Sequence, residues 1–341
     1  MTTPAHLTAS ATVPGTEEAL GWPDGWQPRA GAAWIVTRDG EGILAHRIHD
    51  RADGVCDDGI AFPAPFAEHG YASPNADATV LFVSGEAALA AVDTAGRRLW
   101  TVEHDAWSRG GSGDGACAAS PDGRYVLATT PGPVNADGSY DGDLCICVDA
   151  ASGEVLDRVA LTAASATYTF HGRPTAGGAL LLSAGQGQEE ALSYTVACTD
   201  GKLDITPAAR PDELLAGTNP AGDRLITLDR AGTRLELHAL TDDGTWQATA
   251  AIALTDLPAA AGDDRFVNRP GFVSDTAVIA AIAEHDFAET SRHFLLDAQS
   301  LTPVAEIAYP AAPGPDPLAL GDGTWLTATG DHVSRQSADH E

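Results

Sequence analysis

Lysine is almost missing from this chain. Lys202 is the only one in 341 residues, and arginine brings the basic total to just 19 against 48 Asp and Glu, a formal charge of −29. A surface this negative repels nucleic acid and anionic membranes, and no local basic run offsets it, so neither is an expected partner. The lysine deficit beside abundant Ala and Arg fits a GC-rich coding bias, with a salt-adapted surface as the alternative. Long apolar runs are missing too. No stretch approaches the roughly 18 residues of a membrane span. The opening MTTPAHLTASATVPG lacks the basic start and apolar core of a secretory signal. The cysteines (Cys56, Cys117, Cys145, Cys147 and Cys198) are odd in number and sit mostly in apolar strand patterns. Cys145 and Cys147 lie two apart, on one strand face, which is not the usual spacing of a zinc site. They read as buried, reduced thiols of a cytoplasmic protein. Gly-x-Ser-x-Gly, P-loop, dinucleotide and His-Glu-x-x-His motifs are absent, so no familiar nucleophile, phosphate cradle or zincin helix is expected.

What the chain does contain is a repeat. QPRAGAAWIV, ASPNADATVLFV, ASPDGRYVLAT, RPTAGGALLL, NPAGDRLITL, FVSDTAVIAA and LGDGTWLTAT each place a turn just before an apolar run. Their anchors at Pro28, Pro74, Pro121, Pro174, Pro220, Ser274 and Asp322 are spaced by about 46 to 54 residues, the range of propeller blades. Going on from Asp322 through the C-terminus and round to Pro28 adds about 47 residues, one more period. The expectation is an all-β, seven-bladed β-propeller, a single domain over 1–341. Its blades have four strands, and the last is shared between the two ends of the chain.

The third repeat shows how a blade is written: ACAAS, the turn PDGR, YVLATTP, an insertion, DLCICVDA, the turn ASGE, then VLDRVAL. Short runs of Val, Ile, Leu and Thr bounded by Pro, Asp, Gly or Asn are strand signals, and Asp-Gly and Ser-Gly suit tight hairpins. VDTAGRRLW and LDAQSLTPV supply equivalent hairpins in the second and sixth repeats. The seventh repeat has three strands, at LALG, TWLTAT and HVSRQ. Its fourth is expected from the N-terminus around Leu7 to Val13, pairing a sheet edge that would otherwise be exposed.

SPDGRYVLA and SPNADATVLFV resemble the first hairpin of WD-repeat and TolB-like propellers, and LAAVDTAGRRLWTV and CICVDAASGEVLDRV are similar to the last hairpin of quinoprotein-like propellers. The likeness covers nearly the whole chain and implies the propeller fold. Two departures matter. Trp100 alone fills the docking tryptophan position of the quinone-type repeat, and no regular Gly-His to Trp-Asp pairing runs through the chain. A quinone cofactor is therefore not expected, and Leu, Val and Ala should carry the packing between blades.

Propeller topology puts the loops after second and fourth strands on one face. His69 and His171 with Arg173 read as preceding first strands; His104 and Asp105 follow a fourth strand; His285 and Asp286 follow a second. All are therefore expected on that face, with the insertions PGPVNADGSYDGD, GQGQEEA and EHDFAETS and the channel mouth. Three readings compete for them: ordinary polar loops, a protein-binding surface anchored by Tyr71, Trp107, Tyr140 and Phe287, or a metal or acid/base site in the channel. Asp137, Ser139, Asp141 and Asp143 match the first half of a calcium loop, but Val148 stands where the closing Glu would be. No cofactor is expected apart from calcium or another divalent metal. The function expected is a non-enzymatic scaffold for a protein partner, monomeric or weakly associating, with a metal-dependent hydrolase or lyase as the alternative.

Overall fold

The computed structural model describes all residues except 1, 14–26, 30–31, 40–41, 50–52, 68, 108–112, 134–141, 172, 187–189, 259, 261, 268–269, 286–287, 311–312, 314–315 and 339–341. For 27–29, 32, 39, 69–70 and 190 it describes the backbone alone. The described chain folds into seven antiparallel blades, each a meander. Blade 1 consists of Gln27–Arg29, Ala32–Asp39, Gly42–Arg47 and Ile60–Pro63, and blade 2 of His69–Pro74, Val80–Gly85, Ala88–Asp93 and Arg98–Glu103. Blade 3 is Cys117–Ala119, Tyr125–Pro131, Asp143–Asp149 and Val155–Ala160; blade 4 is Thr167–His171, Leu180–Gln186, Glu190–Thr199 and Lys202–Pro207. Blade 5 is Glu213–Thr218, Arg224–Asp229, Arg234–Leu240 and Trp246–Ala253. In blade 6 the short segments Arg265–Phe266 and Gly271–Phe272 share the first position, before Ala277–Ala283, Arg292–Asp297 and Pro303–Ala308. Each anchor read from the sequence falls at or beside the junction between a first and a second strand.

Blade 7 is Leu318–Ala319, Thr324–Thr329 and His332–Ala338, completed by the N-terminal strand Thr2–Thr12. The register runs from Ala5 opposite Ala338 to Thr12 opposite His332. The closing strand starts earlier than its apolar pattern suggested. Thr2, Thr3 and Pro4 continue past blade 7 and pair in parallel with Glu306, Ile307 and Ala308 of blade 6. One strand thus covers two sheet edges, which joins blades 6 and 7 into one mixed sheet.

First strands of neighbouring blades touch one another in blades 2 and 3, 3 and 4, 5 and 6, and 6 and 7, which places them on the inner wall. Second strands lie between two blades and are buried throughout in Tyr125–Pro131 and Ala277–Ala283. Sheets covered on both faces read as continuous apolar runs for this reason. Fourth strands such as Lys202–Pro207 face solvent.

Seven apolar clusters fill the spaces between successive blades and show the ring closed. Trp34, Phe62 and Leu81 join blades 1 and 2; Phe82, Trp100 and Val126 join 2 and 3; Leu127, Cys147 and Tyr168 join 3 and 4. Leu181, Leu215 and Leu225 join 4 and 5; Ile226, Leu237 and Phe294 join 5 and 6; Ile279, Leu295 and Trp325 join 6 and 7. Ile35, Leu326 and Val333 close blade 7 onto blade 1. Each fully buried side chain of this size contributes about 1.5–3 kcal/mol. Trp100 does dock one blade on the next. Its Nε1 donates to the Ala150 carbonyl of blade 3 at 3.0 Å, and its ring lies against Gly153.

Candidate functional site

The two edges of the ring differ in how much irregular chain they carry. The described parts of the long connections 104–116, 132–142, 254–264, 284–291 and 309–317 lie on the edge that follows second and fourth strands, here the insertion edge. Apart from 48–59 and 172–179, the described opposite edge consists of short turns such as 94–97, 120–124, 219–223 and 320–323. These turns are closed by their own Asx and Ser/Thr bonds, for example Arg97 N–H to Asp93 Oδ1 at 2.8 Å and Ser300 N–H to Asp297 Oδ1 at 2.8 Å.

The sequence-derived candidates separate on this frame. His104, Asp105 and His285 do lie on the insertion edge, and the backbone of His69 opens the first strand of blade 2 there. His285 is exposed on blade 6, three blades around the ring from His104. His104 is largely covered. Its Nδ1 donates to the Asp105 carbonyl at 2.7 Å, Nε2 has no hydrogen-bond partner, and burial holds its pKa below the ordinary 6.5. Asp286, Phe287, Tyr140, Asp137, Ser139 and Asp141 lie outside the described residues.

Four candidates sit differently from the sequence reading. His171 ends the first strand of blade 4 instead of preceding it, and its Nε2 meets Ser183 Oγ on the neighbouring strand at 2.7 Å. Arg173 follows that strand and so belongs to the opposite edge. It crosses the ring there, donating from Nη2 to the Leu320 carbonyl of blade 7 at 2.8 Å and from Nη1 to the Thr218 carbonyl of blade 5 at 3.5 Å. Burial lowers its pKa, while Asp322 and Asp275 act to raise it. Trp107 is 2% exposed and packs on Tyr168 at a ring separation of 6.0 Å, so it is a core residue and not a surface anchor. Tyr71 is half-buried, with its hydroxyl 3.0 Å from Thr169 Oγ1 of blade 4, a tie between blades. For His171 and Arg173 the difference is one of strand order, since the first strand of blade 4 ends at His171 instead of starting after Arg173; for Trp107 and Tyr71 it is burial, which their loop and strand positions do not reveal.

Asp143 is likewise turned inward. It is fully buried, accepts from the Tyr168 hydroxyl at 2.7 Å and the Ala166 N–H at 3.1 Å, and desolvation raises its pKa. Its side chain ties the start of the third strand of blade 3 to the connection leading into blade 4 and to that blade's first strand.

The residues that the structure does gather were not singled out from the sequence. Glu213, Glu236 and His238 lie between blades 4 and 5, with one ligand-type atom from each all within 4.8 Å. Glu213 opens the first strand of blade 5, and Glu236 and His238 alternate along its third, so they point the same way. His238 Nε2 is 2.9 Å from Thr227 Oγ1 and 3.9 Å from a carboxylate oxygen of each Glu. Arg210, from the connection between the blades, bonds both carboxylates: Nε donates to Glu213 Oε1 at 2.7 Å and Nη2 to Glu236 Oε2 at 2.5 Å. Arg234 adds a contact to Glu236 Oε1 at 2.6 Å. Two carboxylates thus face two guanidiniums, and burial keeps His238 below its ordinary pKa of 6.5 and neutral at pH 7. A divalent cation placed among the three would add charge to a group already balanced and would have to displace a guanidinium. The donor set alone matches a metal site, but as folded it is an ion-pair network. Sequence pattern could not reveal it, because its members come from different strands of blade 5 and the connection before it, and Glu236 and His238 sit in what reads as an ordinary strand.

A second buried chain lies between blades 6 and 7. His293 joins Ser291 Oγ through Nε2 at 2.7 Å and the Tyr309 hydroxyl through Nδ1 at 2.6 Å, and Trp325 Nε1 donates to that hydroxyl at 2.8 Å. With His293 1% exposed, these bonds satisfy polar groups at a blade junction.

No protein-family model matches the chain, and no curated protein matches its sequence. Solved structures do. The dihydro-heme d1 dehydrogenase NirN, in complex with DHE, matches with a TM-score of 0.53 at 16% identity over 89% of this chain and 60% of that one. Hydrazine synthase of Kuenenia stuttgartiensis matches with a TM-score of 0.52 at 12% identity, over 92% of this chain and 95% of that one. The chain therefore spans 60% of the length of NirN. Likeness at these identities shows the β-propeller fold and carries no chemistry across.

Proposed function

We propose that the protein is a recognition ring, which binds a protein partner through its insertion edge. The observation that carries this reading is the asymmetry of the two edges: most of the longer connections leave one side of a stiff ring, whereas the described opposite side is mostly tight turns. Loops held by a rigid scaffold lose little conformational entropy on binding, which favours recognition. Over blades 5 and 6 this edge exposes Asp212, Asp256, Asp263, Glu284 and Glu289. The partner is then one with a basic or mixed surface, steered by charge.

The test is capture by the purified protein from a native extract, with Glu284→Lys/Glu289→Lys as the comparison. Both residues are exposed, so the double variant should melt as the parent does while retaining several-fold less partner, and capture should weaken as salt rises. Retention unchanged by the variant and by salt would reject an acidic recognition edge. The metal-dependent hydrolase or lyase remains the second reading, supported by the proximity of Glu213, Glu236 and His238. It stands behind the first because Arg210 and Arg234 already neutralise the two carboxylates.

A further inference from the structure

Blades 3 and 4 meet at a pair of thiols. Cys147, in the third strand of blade 3, has its Sγ 2.9 Å from Sγ of Cys198, in the third strand of blade 4, and both are free. Their alignment is fixed from the outside. Cys147 pairs with Asp157 within its blade and Cys198 with Leu203 within the next. Asp157 Oδ2 then accepts the Leu203 N–H at 3.0 Å, and Lys202 Nζ reaches Asp157 Oδ1 at 3.7 Å. Beside them Leu156 lies over Gly201, where an added Cβ would come within 2.8 Å of Leu156 Cδ1. Gly201 has a φ of +77°, so the hairpin turns without a side chain and the blades close up. Five residues of two hairpins therefore hold the sulfurs face to face. Closing to a bond length of about 2.05 Å needs a shift of less than about 1 Å.

We propose that Cys147 and Cys198 are a disulfide-forming pair that staples blade 3 to blade 4 when a low-molecular-weight disulfide is supplied as oxidant. Cys198 is the half-buried member and Cys147 the buried one, so the reagent meets Cys198 first. The Cys198 thiolate attacks one sulfur of the reagent, forming a mixed disulfide and expelling one thiolate. The Cys147 thiolate then attacks Cys198 Sγ, forming the bond between blades and expelling the second thiolate. The two protons lost by the cysteines end on the two expelled thiolates: the reagent is reduced to two thiols as the protein loses two hydrogens. Burial raises the pKa of both cysteines, so exchange is slow at neutral pH and faster in mild alkali. Cys145, fully buried in the same cluster with its thiol pushed up to about 12, has no such opposing sulfur and stays reduced.

The native, full-length chain incubated with oxidised glutathione in mild alkali, then alkylated and digested without reductant, gives the test. The expected result is a Cys147 to Cys198 cross-linked peptide, an intact mass lower by two hydrogens, and a Tm raised on the order of 5 °C that dithiothreitol reverses. Cys198→Ser should lose the cross-link and the shift, and Cys145→Ala should keep both. Wild-type protein that stays folded while Cys147 and Cys198 are recovered as separate thiols, or as glutathione adducts, would overturn the proposal without reference to any variant. So would cross-linking that occurs only after unfolding in urea.

Discussion

The two faces of blade 5 solve the same packing problem with opposite chemistry. Along its third strand, Leu235 and Leu237 point toward blade 6 and join Ile226, Leu228, Phe272 and Phe294 in an apolar cluster. Glu236 and His238, the alternate residues, point toward blade 4, where the apolar contact shrinks to Leu181, Ala208, Leu215 and Leu225. The polar face carries charge-assisted bonds to Glu236 from Arg210, on the connection from blade 4, and from Arg234 in the same strand. Apolar burial gains free energy directly, whereas a buried ion pair must first recover the desolvation of its members. The blade 4 to blade 5 junction is therefore the softer of the two.

Truncation on the apolar side should have the largest effect. Phe294 is fully buried among residues of both blades, so Phe294→Ala should cost about 3–5 kcal/mol, and Leu215→Ala in the smaller cluster closer to 2 kcal/mol. Denaturant unfolding of the two variants measures the difference. Equal losses would show that the polar junction is packed as firmly as the apolar one.

Next comes the ion-pair network itself. Arg210 is exposed whereas Glu213 and Glu236 are buried beneath it. Removing the arginine leaves Glu213 with a buried negative charge, while neutralising the glutamate leaves a guanidinium that water can solvate. Arg210→Met should therefore cost about 1–3 kcal/mol after allowance for screening, and adding Glu213→Gln should recover a substantial part. Additive losses in the double variant would mean that the two residues act independently and that the carboxylate is solvated some other way.

This contrast also marks the boundary of what the sequence could show. Blade number and closure were legible because each blade repeats a local signal: a Pro-, Asp- or Gly-rich turn at the junction of its first two strands, and a second strand apolar on both faces. The closing strand was legible as a short apolar alternation at Leu7 to Val13, but its extension over blade 6 was not, since Thr2, Thr3 and Pro4 carry no strand pattern of their own. The polar junction was illegible for a different reason. Arg210, Glu213, Thr227, Arg234, Glu236 and His238 come from four segments, the connection before blade 5 and its first three strands, and only the register of those strands brings them together. Arg173 shows the same limit, because its partners on blades 5 and 7 are set by ring curvature and not by any neighbour in the chain.

The smallest effect concerns His238, and its pH dependence separates the junction from the rest of the molecule. His238 is kept neutral by burial, with a pKa below 6.5, so its bond to Thr227 adds stability that is fully present above pH 6.5. That contribution is lost as pH falls from 6.5 through the folded value, because the unfolded chain takes up the proton more readily. His238→Gln can still reach Thr227 but cannot titrate. Relative to the parent it should lose about 1 kcal/mol at pH 8, from imperfect replacement of the imidazole, and the gap should narrow or invert as the pH is lowered toward 5. Reading the difference in Tm between the two proteins cancels the general relief of repulsion that acid brings to a chain of charge −29. A gap that stays constant with pH would mean that His238 keeps its ordinary pKa in the fold, and that the carboxylates beside it offset the burial that the apolar half of blade 5 imposes without such compensation.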